Sequence, residues 1–216
     1  MEIEIKKSER ISCYTHLIGA VASLIGLIVL LCVTAGRWDY FAVSLIYGLG
    51  AVCLFMASAM YHAQKQEENA VNIWRKLDHV AIFFMIAGTY TPICYIYLDG
   101  AWFWSIMGVQ WACVIAGFFF KVFYLRAPRI ISPILYLIMG WIAIIPINIF
   151  WDQMSTLSFF LLFGGGVAYS IGAILYAIKK PNPVPGVFGF HEIFHIFILL
   201  GALLHYFMIY IAVTQV

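Results

Sequence analysis

The sequence predicts an all-α membrane protein, a bundle of seven transmembrane helices with its N-terminus cytoplasmic and its C-terminus outside. Three observations predict it. The 216 residues are 64% hydrophobic and 10% charged, against roughly 45–50% and about 25% in soluble domains. A core of this size cannot hide that much apolar surface, so the surface must face lipid. The apolar residues fall in seven runs, each near the ~20 helical residues that cross a bilayer core. Eleven of the twelve Lys and Arg lie in alternate connections, on one side of such a bundle. The same composition excludes a soluble enzyme and a disordered chain, and a net charge of +2 without a basic patch excludes a nucleic-acid binder.

The spans read as residues 13–35, 41–62, 77–98, 102–123, 130–150, 157–178 and 190–213. Connections such as 36–40, 99–101 and 151–156 leave no room for an extramembrane domain. Residues 1–216 therefore read as one transmembrane domain with a short polar segment, 1–12, and no cleavable signal peptide. The runs do not alternate as barrel strands would, and an open sheet would leave backbone groups unbonded in lipid. Lys6, Lys7, Arg10, Lys65, Arg75, Lys76, Lys121, Arg126, Arg129, Lys179 and Lys180 share the inner side, and Arg37 alone lies outside. Pro92 and Pro146 are expected to kink the third and fifth helices. The stretch Lys180-Pro-Asn-Pro-Val-Pro-Gly186 cannot be helical. Rows of small residues, Thr15-Gly19-Ser23 and Gly164-Ala168-Gly172, predict close helix contacts. The five cysteines lie singly in apolar runs and read as buried thiols.

Ionisable residues inside a membrane are costly and mark function. His16, His62, Asp78, His79, His191 and His195 all fall at the inner ends of their spans. His205 lies fourteen residues past His191, roughly 21 Å deeper at 1.5 Å per residue. His191 and His195 are i, i+4 and share a helix face, as do Ser58 and His62. Two imidazoles stacked in this way chelate one ion. His62 from a second helix completes a three-ligand Zn²⁺ site with an open fourth position. Asp78 is placed to hold or deprotonate a water at that site. Asp78 and His79 point about 100° apart on a helix, and the carboxylate is preferred. His16 and His79 read as interfacial or packing groups, His205 as making one interhelical hydrogen bond, and Glu9 as a solvated charge, a helix cap or the partner of a loop lysine. His191-Glu-Ile-Phe-His195 spells the HExxH pattern of zinc proteases, which would make Glu192 a general base. Asp99, in a Leu-Asp-Gly motif of the kind that supplies an intramembrane protease ligand, lies at the opposite end of its helix, which argues against that reading.

These residues resemble a known family. Ser58-Ala-Met-Tyr-His62, Lys76-Leu-Asp78-His79 with Ala87-Gly-Thr-Tyr-Thr-Pro92, and His191-Glu-Ile-Phe-His195 with Gly201 and His205 are similar to the hemolysin III proteins. Those proteins belong to the progestin and adipoQ receptor (PAQR) family. Glu9-Arg-Ile-Ser12-Cys-Tyr-Thr-His16 resembles its opening motif, so the match runs from Glu9 into the seventh helix. The resemblance implies a zinc ion near the cytoplasmic face, with His62, His191 and His195 as ligands, Asp78 reaching the metal through water, and Ser58 one turn before the first ligand. The broader superfamily contains alkaline ceramidases, which implies metal-dependent lipid amide or ester hydrolysis and a role in membrane homeostasis. The expected partners are membrane lipids and the expected location is the plasma or inner membrane. Two non-enzymatic alternatives stand beside it: a pore-forming cytolysin and a membrane receptor. The sequence shows no polar channel stripe for the first and no intramembrane Lys for a retinal on the seventh helix.

Overall fold

Lipid offers the backbone no hydrogen-bond partner, so each span must close its bonds internally. The computed structural model describes residues 5–65, 72–124 and 130–215, and it meets this requirement with helices. After a 3-10 turn (Lys7–Glu9) come α1 (Arg10–Val33), α2 (Trp38–Gln64), α3 (Ile73–Tyr97) and α4 (Gly100–Phe123). The fifth span is divided into α5 (Ile131–Gly140), a 3-10 turn (Trp141–Ile144) and α6 (Ile147–Gln153). Then follow α7 (Thr156–Ile178) and α8 (Phe190–Thr214). Among the described residues six helices are long and apolar enough to cross a membrane, and the bent pair brings the number to seven when it is counted as one span. Among the described residues the only strand pairing is one isolated bridge, Val184 to Phe188, in the proline-rich loop before α8. The chain is a multi-pass integral membrane protein. Arg126 and Arg129, counted above for orientation, lie outside the described residues.

Local chemistry sets where the helices begin. The Asn72 side chain accepts from the Arg75 backbone N–H at 2.8 Å and opens α3. Ser155 does the same for Ser158 at 3.2 Å and opens α7. Both satisfy a donor that the first turn leaves unpaired. Lys179, at φ 56°, stands in the left-handed conformation that ends α7.

The tightest neighbours are α7 with α8, α1 with α2, and α2 with α3; α1 also packs on α8 and closes the bundle. α3 is central, touching α2, α4, α5, α6 and α8. Its most apolar window is 67% buried, against 22% for α4, which packs on α3 at the lipid-facing edge.

The two prolines behave differently. α3 runs unbroken through Pro92, so the expected kink does not divide it. The fifth span bends by 55° between Ile144 and Ile147, where Pro146 withholds an N–H. Breaking a helix in lipid is tolerated when other groups satisfy the freed backbone. Tyr90 of α3 does this from both sides: its hydroxyl donates to the Gly140 carbonyl at 2.7 Å and accepts from the Ala143 N–H at 2.7 Å. Gln110 of α4 donates to the Met139 carbonyl at 3.0 Å, and the Trp141 indole donates to Ser170 of α7 at 2.9 Å. Tyr90→Phe removes one hydroxyl and takes this partner from the buried Ala143 N–H and the part-buried Gly140 C=O. It should cost about 1–3 kcal/mol, read as an earlier unfolding midpoint in denaturant-titrated detergent solution.

Candidate metal centre

Because successive spans alternate in direction, the C-terminus of α2 and the N-termini of α1, α3 and α8 meet at one end of the bundle. His62 lies in the last turn of α2; His191 and His195 occupy the first two turns of α8. The start of α8 is fixed by Glu192. One carboxylate oxygen accepts from the Gly189 N–H at 2.8 Å, satisfying a helix-terminal donor, and the other accepts from Ser12 of α1 at 3.0 Å. Both oxygens of the HExxH glutamate are therefore engaged in holding the helix. Asp99 precedes α4, at the far end of α3 from Asp78.

The three imidazoles predicted as ligands converge. One nitrogen from each of His62, His191 and His195 lies within 4.8 Å of the others, and together they could hold a metal ion. His62 and His195 are each only 2% exposed. The Nε2 atoms of His62 and His191 are 3.3 Å apart. Two metal–nitrogen bonds of about 2.0–2.1 Å at a tetrahedral angle place their nitrogens about 3.3 Å apart, so this pair already has a ligand spacing. An all-imidazole donor set suits zinc and its borderline-soft neighbours rather than calcium or magnesium.

Around this triad lie groups the sequence did not assign to it. Glu9, read there as a solvated charge or a lysine partner, sets one carboxylate oxygen 2.7 Å from His62 Nδ1 and the other 2.7 Å from Lys65 Nζ. The lysine pairing was legible; the bond to a ligand histidine was not. His16, read as interfacial or packing, is 3% exposed and stacks on His195, with ring centroids 3.7 Å apart and planes 12° from parallel. The signal available for both was depth, shared with the ligands; the missing quantity was the rotation of α1 about its axis.

Asp78 is half-buried on α3, with Ser58 beside it and His62, Arg75 and Lys121 within electrostatic reach. It is outside the three-nitrogen group. His79, one residue on, turns away and meets α5, where the Tyr136 hydroxyl donates to its backbone carbonyl at 3.1 Å. His205 bonds the Leu162 carbonyl of α7 at 3.0 Å, the single interhelical bond expected of it.

Residues 5–206 match the family model described as Haemolysin-III related. The chain belongs to the haemolysin-III family. This haemolysin-III chain is 34% identical to Hemolysin-3 of Bacillus cereus over 205 residues, covering 94% of itself and 90% of that protein. It is 32% identical over 206 residues to a Hemolysin-3 homolog of Bacillus subtilis (strain 168), with 94% and 93% covered. A more distant relative is the human Monocyte to macrophage differentiation factor, 24% identical over 203 residues, with 92% and 82% covered.

Proposed function

We propose that this haemolysin-III protein is a zinc-dependent membrane hydrolase that cleaves amide or ester bonds of lipids reaching it from the inner leaflet. The observation that carries the reading is the convergence of His62, His191 and His195, with Asp78 and Ser58 next to His62. When bound, zinc with three protein ligands supplies a Lewis acid and an open position at which water ionises near pH 7, an acidity of about that value in known sites. Asp78 takes the proton of the attacking water as its oxygen bonds to the acyl carbon. Ser58 donates to the carbonyl oxygen as charge develops there. Asp78 then returns the proton to the departing nitrogen or oxygen, the acyl bond breaks, and a fatty acid and an amine or alcohol leave. The Lys and Arg asymmetry supports placing this end of the bundle toward the cytoplasm.

Purified protein in nanodiscs containing a ceramide and a phospholipid tests this by mass spectrometry of released fatty acid. The wild type should release it, and Asp78→Asn should be slower by about 10²–10⁴-fold, the usual contribution of a general base. No release from either lipid class, with leakage of dye-loaded liposomes instead, would contradict hydrolysis and favour a pore.

A further inference from the structure

We propose that Glu9 is a positioning residue of the metal centre: it fixes the tautomer and ring orientation of His62 and is itself held by Lys65. The inference rests on the metal-binding reading above and assigns a role to the segment that leads into α1. A carboxylate only accepts hydrogen bonds, so the 2.7 Å contact makes His62 Nδ1 the donor to Glu9. The ring proton is thereby placed on Nδ1, and the lone pair of Nε2 is left for the metal. That Nε2 is the atom 3.3 Å from the Nε2 of His191. An outer carboxylate of this kind orients a ligand imidazole and raises its basicity. The second oxygen of Glu9 is not idle: Lys65, one turn of chain beyond His62, donates to it at 2.7 Å. The carboxylate is held from two sides, by one residue of the metal group and one cation, and is only 13% exposed in its side chain.

Two further contacts come from the same stretch. Ser12 bonds Glu192 at 3.0 Å, and Glu192 secures the turn that carries His191. His16 stacks on His195. Positions 9, 12 and 16 follow the spacing of one helix face, and each meets a different part of the triad's support. Metal affinity therefore depends on the start of the chain as well as on the two helices that bear the ligands.

The test is a zinc titration of full-length protein in detergent against a fluorescent chelator, with unfolding of the metal-free protein measured in parallel. Glu9→Ala should weaken zinc binding by about 10–100-fold, the range found when such outer partners are removed. Lys65→Met should weaken it less, and Glu9→Gln, which keeps an acceptor for Nδ1–H, should recover part of the loss. If Glu9→Ala does not fold, Glu9→Gln and Lys65→Met carry the comparison. Wild-type zinc affinity in these variants overturns the proposal, as does a loss of metal-free stability with no change in affinity. A wild type that binds no zinc overturns the metal reading and this proposal together; zinc bound equally by wild type and variants overturns this proposal alone.

Discussion

His191→Ala is expected to reduce bound metal from about one ion per chain to almost none, because two imidazoles alone make a weak site. The loss should reach stability as well. A ligand that binds only the folded state adds RT ln(1 + [L]/Kd), about 4 kcal/mol at a thousandfold excess over Kd. Stripping metal with a chelator should therefore lower the unfolding midpoint of the wild type and leave that of His191→Ala unmoved. His191 is only half-buried, so alanine there opens no closed core cavity. His62→Ala should behave alike in metal content. Measurement is by metal analysis of the purified proteins, with denaturant titrations before and after chelation.

The second large effect concerns packing. Gly165 of α7 lies against α8: a methyl there would collide with the His205 ring and come within 3.2 Å of the Gly201 carbonyl oxygen. His205 cannot yield freely, since its Nε2 bonds the Leu162 carbonyl. Gly165→Ala should cost about 2–5 kcal/mol, combining overpacking with loss of the partner of the buried His205 imidazole nitrogen. Gly164→Ala should be neutral or slightly stabilising, because a methyl there meets only Leu204, at 3.7 Å, and alanine favours the helix. Paired denaturant titrations of the two neighbouring variants check the difference.

That contrast shows where the sequence was legible. A row of small residues on α7 was readable, and Ala168 and Gly172 do lie buried. Gly164, Gly165 and Gly166 are consecutive, however, and the row read from Gly164 misses the tightest contact, which belongs to Gly165. Span positions were readable because hydropathy is local. The break in the fifth span was only half readable: Pro146 announces a weak point, but Tyr90 and Gln110 arrive from two other helices to bond its backbone, and Ser170 of a third takes the Trp141 indole. Pro92 sits in a helix that continues past it.

The site follows the same division. His191 and His195 advertise themselves by i, i+4 spacing, and His62 by its depth. A turn of about 100° on the helix keeps Asp78 and His79 from facing one ion together, and the carboxylate is preferred because it needs a partner inside a membrane; the structure has Asp78 beside Ser58 while His79 meets Tyr136. Glu9 and His16 shared only the depth, which does not say which way a side chain faces. Their relation to His62 and His195 depends on how α1 is rotated against α2 and α8, which no spacing within α1 expresses.

X-ray absorption at the metal edge of the purified wild-type protein tests the central claim most directly. Three imidazole nitrogens at about 2.0–2.1 Å, with one oxygen completing a four-coordinate shell, is the predicted spectrum for zinc. A sample without metal, or a shell made of sulfur or of oxygen alone, would contradict it.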